Sequence, residues 1–237
     1  MQRPFAARRL GAGAVDRYVA TGSFLVASIV IVCAVALTHA PVPAIVVRDA
    51  AAARDLVALM HSGERGEWIV TYDFTRTLAN GRILRQRGDE GRSSSWHVVV
   101  LGPAMTIERG GRTFACAVVG GHSGCRKTSD RAALSESAVV RVAVATGAYD
   151  VVRKPDTTIA GLRARCFRMR ATGEGSLPDF GVETDRCLSD DGIPLRLFVV
   201  RPPGDVNEQV ATAVRRRATP AQVKTLAASF ARETAVP

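Results

Sequence analysis

"RCFRMRATGEGSLPDFGVETDRC", residues 165–187, holds two strand-like halves around a turn rich in Gly and Pro, with Cys166 near one end and Cys187 at the other. In the first half Phe167 and Met169 alternate with Arg168 and Arg170, the period of a strand with one apolar face. The cysteines admit three readings: a clamp between strands, a metal site or a reactive pair. The compartment decides among them, because disulfides persist where the surroundings are oxidising.

The compartment is read from the other end of the chain. No charged residue occurs between Arg17 and Arg48, and Val19 to Leu37 spans 19 residues, close to the ~20 that cross a bilayer as a helix. Arg3, Arg8, Arg9 and Arg17 precede this run against one acid, Asp16, which by the positive-inside rule keeps the amino terminus in the cytoplasm. The expectation is a cytoplasmic segment at 1–18, a transmembrane anchor at 19–40 and an extracytoplasmic domain at 48–232, a single-pass protein of the cell membrane. A cleaved signal peptide competes with the anchor, since "THAPVPA" places small residues after the apolar run. Cys33 follows Val32 in mid-span and reads as a buried apolar cysteine, not a lipidation site.

Of 237 residues, 32 are basic and 22 acidic, and hydrophobic residues make up 47%, enough for a packed core. Residues 1–47 hold 4 of the basic and 1 of the acidic side chains, leaving 28 against 21, or +7, for the rest. Only Lys127, Lys154 and Lys224 are lysines, and the arginines are spread among acids. Beyond "RRR" at 215–217 there is no compact basic run and no interleaving of aromatics, so the charge reads as a solvated basic surface and not as a nucleic-acid site.

From residue 48 the text "RDAAAARDLVALMHSGER" places Ala51, Leu56, Leu59 and Met60 near helical spacing. The period then becomes two: in "EWIVTYDFTRTLANGRILRQRG", Trp68, Val70, Tyr72 and Phe74 share one face, and Asn80-Gly81 signals a tight hairpin. Strand text continues in "SWHVVVLG", in "AMTIERGGRTFACAVV" with its Gly110-Gly111 turn, and in "AYDVVRK", "GLRARCFRMRA", "FGVETDRCL" and "IPLRLFVV". Helical text appears at "SDRAALSESAVVRVAVA", "DVNEQVATAVRRR" and "TPAQVKTLAASF", the last with Thr219 as N-cap and Pro220 in its first turn. Hairpin-linked strands with few helices give an α+β domain, an antiparallel sheet with its helices gathered on one face.

Four cysteines lie beyond the apolar run, Cys116, Cys125, Cys166 and Cys187. Three connectivities are possible, and the spacing favours Cys116 with Cys125 and Cys166 with Cys187, because each pair brackets a turn-rich loop. His122 between Cys116 and Cys125 keeps zinc as the sharper alternative, but the CxxC spacing is missing. "GGHSGC" departs from the nucleophile-elbow pattern at Cys125, so Ser123 reads as a turn residue. His39, His61 and His97 are scattered, and Asp190-Asp191 before Gly192 is a turn signature. No constellation demands catalysis, metal or cofactor; the expectation is a protein that is not an enzyme.

Around "TIAGLRARCFRMRA" (158–171) and "FGVETDRCLSDDGIPLRL" (180–197) the chain resembles extracytoplasmic proteins of the LolA-like superfamily. That group includes outer-membrane lipoprotein carriers, LppX-type and LprG-type lipid-carrying lipoproteins and RseB-type regulators of envelope-stress sigma factors. The shared features are the strand entry from Tyr149 to Gly161, the Cys166 strand and the hairpin from Cys187 to Arg196; "YDFTRTLANGR" fits the first hairpin. The resemblance implies a curved antiparallel sheet, a half-open barrel with helices on its concave face, and a cavity for an acyl chain or lipidated peptide. The retained anchor departs from the soluble carriers, and the missing lipobox from the lipoproteins.

Two functions follow as expectations. One is a membrane-anchored binding domain for a lipid or lipoprotein, its cavity lined by Trp68, Val70, Tyr72, Phe74, Phe167 and Met169. The other is an accessory or regulatory protein that binds another membrane or secreted protein without carrying lipid. A cavity filled by side chains favours the second.

Overall fold

The computed structural model describes residues 49–119, 122–129, 134–173, 177 and 180–233, all within the unit Ile45–Pro237. In chain order the elements are α1 (Ala50–Glu64), β1 (Trp68–Thr77), β2 (Ile83–Arg92), β3 (His97–Leu101), β4 (Ala104–Arg109), β5 (Arg112–Val119) and β6 (His122–Ser129). There follow α2 (Glu136–Ala145), β7 (Tyr149–Arg153), β8 (Thr157–Ile159), β9 (Leu162–Ala171), β10 (Glu183–Ser189), β11 (Pro194–Arg201), β12 (Asp205–Arg216) and α3 (Pro220–Glu233). The fold is α+β, as the alternation implied. The apolar run 19–37, Cys33 and His39 lie outside the described residues. Among the described residues no helix is long and apolar enough to cross a membrane.

The strands form one open, curved antiparallel sheet in the order β6-β5-β4-β3-β2-β1-β12-β11-β10-β9-β7, with β8 paired to β9 off this path. Two meanders, β1 to β6 and β9 to β12, meet where β1 pairs with β12 from Trp68 opposite Arg216 to Thr77 opposite Val206. The first hairpin turns at Asn80-Gly81: Gly81 has φ +80°, and the Arg82 N–H donates to Asn80 Oδ1 at 3.0 Å. Both disulfides join residues directly opposite each other across a strand pair, Cys116 to Cys125 between β5 and β6 and Cys166 to Cys187 between β9 and β10. The opening hairpin is therefore clamped by its cysteines.

Two expectations are corrected. Residues 205–216 form strand β12, not a helix. Val206, Val210, Ala213 and Val214 recur at helical spacing, but this segment is hydrogen-bonded on one side to β1 and on the other to β11, and two ladders outweigh a weak local propensity. The helices also do not gather on one face. Helices α1 and α2 pack on each other and against β7 and β10, burying Leu56, Val140 and Val144 with Phe167 and Met169. Helix α3 covers Val98, Met105 and Cys116 with Val223 and Leu226. Val98 and His97 are strand neighbours and point to opposite faces, so α3 lies on the side away from His97 and Trp68. The reason is legible in "HVVVL": Val98 and Val100 form an apolar face opposite His97, and that face has to be covered.

Helix α1 is capped by Asp49, whose Oδ1 accepts from the Ala52 N–H at 2.8 Å. Its buried stripe is Ala52, Ala53, Leu56, Leu59, Met60 and Gly63, while Ala51, assigned to that stripe from the sequence, is exposed. The last turn meets the β10–β11 turn backbone to backbone. A Cβ on Gly63 would stand 2.0 Å from Gly192 O, and one on Gly192, where φ is +85°, 2.0 Å from Leu59 O. Trp68 completes the joint, its Nε1–H donating to Gly63 O at 2.9 Å.

Gly63→Ala is expected to destabilise the domain by about 1–3 kcal/mol through overpacking, and Gly192→Ala by more, since a left-handed backbone adds about 1–2 kcal/mol for any residue with a Cβ. Urea unfolding of the two variants against the parent measures both, and a loss within error at Gly63 would contradict the close approach.

Candidate functional site

On the face opposite α3, strands β2, β3 and β4 align polar residues into a rung. Arg92 stands opposite His97, and His97 opposite Glu108. Glu90, two residues before Arg92 and therefore on the same face, joins them. The His97 imidazole is held from both sides by carboxylates: Nε2 lies 2.9 Å from Glu90 Oε1 and Nδ1 lies 3.1 Å from Glu108 Oε2, while Arg92 Nη2, 3.0 Å from Nδ1, is a cation that opposes charge on the ring.

Burial opposes a charge on this ring, but the hydrogen bonds to Glu108 and Glu90 outweigh it, so its pKa is raised to about 9. At neutral pH the ring is an imidazolium that donates from both nitrogens, and Arg92 stands beside it as a second cation. Two cations and two carboxylates thus balance. The His97 hydrogen bond, against the opposing effect of burial, holds the Glu108 carboxyl below the usual range. Burial, reinforced by the Glu90 charge, pushes the Tyr72 phenol well above its ordinary value, and its hydroxyl donates to Pro194 O at 2.8 Å. An imidazole already protonated at neutral pH is no general base; this rung fixes charge in place.

The rung forms one wall of a cleft of about 690 Å³. The opposite wall is the start of α2 with Arg186, Arg196 and Leu197 of the second meander, and Glu64 and Phe180 border it. Glu64, delivered by the last turn of α1, anchors α2: its carboxylate accepts from the Ser137 N–H at 2.7 Å and from Ser137 Oγ at 2.5 Å. Ser135 Oγ accepts from the Ala138 N–H at 3.3 Å. The N-terminus of α2 is therefore capped twice, and a carboxylate there also meets the positive end of the helix dipole. Arg186 is buried, donates from Nη2 to Glu136 of α2 and lies with its guanidinium 5.3 Å from the centre of the Phe180 ring.

Of the six residues singled out from the sequence as cavity lining, Tyr72 borders this cleft. Trp68, Val70 and Tyr72 are buried in a cluster with Cys166, Cys187, Leu195 and Ala211. Phe167 and Met169 are fully buried in a separate cluster beneath α1 and α2. Phe74 is half-buried. The structure thus divides five of the six between two packed cores and leaves Phe74 outside both. Sequence reasoning missed Glu90, Arg92, His97, Glu108 and Arg186; the available signal was polar residues on the strand face opposite Val98, Val100 and Met105.

A second depression runs between α1 and α2, about 410 Å³, lined by Ala53, Val57, Ala58 and Val144 with Arg54, His61 and Arg141 at its rim. The bond between Cys116 and Cys125 removes both as thiolates for zinc, and no cluster of metal-ligating side chains occurs among the described residues. Asp190, Asp191 and Gly192 form the tight β10–β11 turn, with Ser189 Oγ bonded to Asp191.

No protein-family model matches the chain, and no curated protein matches it. Solved structures do. A chain of the Pseudomonas aeruginosa MucA/MucB complex aligns at 17% identity with a TM-score of 0.51, over 74% of this chain and 60% of that one. MucB alone aligns at 16% identity and a TM-score of 0.48, over 73% and 61%. A LolA superfamily protein from Nitrosomonas europaea aligns at 9% identity and a TM-score of 0.34, over 73% and 97%. The first of these shows a shared fold, and the chain spans about 60% of the length of its match.

The raised pKa of His97 carries a sign. Stability from its charged form is fully present below pH 6.5 and is lost as pH rises through about 9. In urea unfolding, the deficit of His97→Gln relative to the parent should be greatest below pH 6.5 and vanish above about pH 9; a deficit independent of pH would contradict a charged ring.

Proposed function

We propose that this chain is an extracytoplasmic binding protein whose cleft takes a segment of another envelope protein, held at the cell membrane by the apolar run 19–40. The observation that carries this reading is the lining of the cleft. Glu90, Arg92, His97, Glu108, Arg186 and Arg196 surround it, and an acyl chain would strip water from these groups without replacing its hydrogen bonds. A polypeptide offers matching donors, acceptors and apolar side chains together. The apolar faces that would have suited a lipid are already occupied by neighbouring side chains. The shared fold supports the same direction, since the matched chain belongs to a protein complex.

The groove between α1 and α2 supports a second reading, lipid contact at that surface, because its floor is apolar and its rim carries Arg54 and Arg141, cations suited to anionic headgroups.

A photo-crosslinking amino acid in place of Leu197, at the cleft, and of Val57, at the groove, separates the two in living cells. Crosslinking of a discrete envelope protein from position 197, and not from 57, is the expected result. Lipid adducts at 57 without a protein adduct at 197 would put the second reading first. Protease added to spheroplasts is expected to digest the chain beyond about residue 48, and protection of that region would overturn the placement outside the membrane.

A further inference from the structure

Arg186 Nε is a buried donor with no hydrogen-bond partner among the described residues, in a residue only 5% exposed. Leaving such a donor unpaired is costly, because the hydrogen bond it made to water is not replaced. Nε–H and one Nη2–H lie along a single edge of the guanidinium and together match the two oxygens of one carboxylate. Elsewhere in this molecule that edge is used whole. Arg163 reaches Asp156 at 3.2 and 2.7 Å, Arg168 reaches Asp185 at 2.7 and 3.1 Å, and Arg196 reaches Glu208 at 2.9 and 2.6 Å, each through Nε and Nη2. Arg186 uses half of it, Nη2 on Glu136.

Glu136 is a replaceable partner. Its side chain is 51% exposed, so it can rotate into water at little solvation cost. The end of α2 does not depend on it, because Glu64 and Ser135 cap that end. Of the other cationic groups of the cleft, His97 is engaged by Glu90 and Glu108 and Arg196 by Glu208, while Arg92 donates from Nη1 to Glu64 O at 3.4 Å and stands beside His97. Apolar groups flank Arg186. Leu197 is its direct neighbour across β10 and β11, Val139 follows Glu136 by one helical turn, and Leu134, 74% exposed, stands at the rim.

We propose that Arg186 is a carboxylate-binding site in the cleft, filled by an Asp or Glu side chain of the partner segment, which displaces Glu136 and engages Nε and Nη2 together. This rests on the partner-binding reading and names what the partner must carry: an acid flanked by aliphatic residues in an extended stretch. Glu136 is the internal stand-in that keeps Arg186 half satisfied until the acid arrives. Because Glu136 competes with the incoming acid, removing its charge raises affinity for the ligand.

The probe is a blocked, fluorescent pentapeptide with Glu between two Leu residues, its control the same peptide with Gln. Both are titrated by anisotropy into the full chain in detergent, with disulfides intact. The Arg186 Nε–H resonance, assigned by its loss in Arg186→Lys, is followed by NMR. The expected result is binding of the Glu probe, with the Gln probe weaker by about tenfold, the ratio set by about 1.4 kcal/mol. Glu136→Gln is expected to tighten the Glu probe several-fold, and the Nε–H signal to shift on binding. This exposed substitution keeps the proposal testable if Arg186→Lys fails to fold. Equal binding of the two probes, no effect of Glu136→Gln, an unmoved Nε–H signal or no binding at millimolar probe overturns it. The crosslinking experiment at Leu197 separates the two claims: a partner captured equally by the parent and by Glu136→Gln, with no acid preference in the probes, leaves the partner reading standing and removes the carboxylate site.

Discussion

The end of α1 touches the β10–β11 turn through bare backbone, Gly63 against Gly192, and much of the molecule follows from that approach. It places Glu64 where its carboxylate caps α2, and it brings Gly63 O within reach of the Trp68 indole. With α1 fixed to the second meander and Trp68 fixed to the first, one helix end ties both halves of the sheet. A side chain at either glycine would push the helix away and slacken all of these contacts together. Two residues without side chains thus determine where the first charged wall of the cleft meets the second.

The cleft is polar in a protein whose other large interior surfaces are apolar. Its charges are arranged as neighbours of opposite sign, His97 between Glu90 and Glu108, Arg186 on Glu136, Arg196 on Glu208. Pairs of this kind contribute little net stability when part-exposed, and a buried pair is often no better than apolar packing. Their value here is geometric: they keep long side chains in fixed positions around the cleft. Such a surface discriminates among partners by charge pattern more than it adds to affinity.

The legible parts of the fold were those encoded locally. The Asn80-Gly81 and Gly110-Gly111 turns are written in adjacent residues, and the cysteine pairs bracket loops short enough that the partners end up directly opposed. Strand β12 was not legible, because its valines fall at a helical period and its strand state depends on β1 and β11, distant in the chain. The position of α3 required noticing that Val98 and Val100 need cover on the face that His97 does not occupy. The cleft was least legible. Glu90, His97 and Glu108 each read as an ordinary solvated residue of its own strand, and only the register of β2, β3 and β4 unites them. Trp68, Val70, Phe167 and Met169 were readable as inward-facing, but alternation cannot say whether an inward face lines a space or fills one.

The pairing of β1 with β12 has a consequence for how the domain is made. Its central ladder joins Trp68 to Arg216, residues separated by nearly the whole domain, so the sheet cannot be completed until the last strand is available. Contacts so distant in sequence slow folding. In the interval β1 offers an unpaired edge of N–H and C=O groups, flanked by apolar Trp68, Val70 and Tyr72, to any extended chain nearby. The nascent domain is thus aggregation-prone until β12 docks, and the two disulfides, each confined to one meander, cannot hasten that final closure.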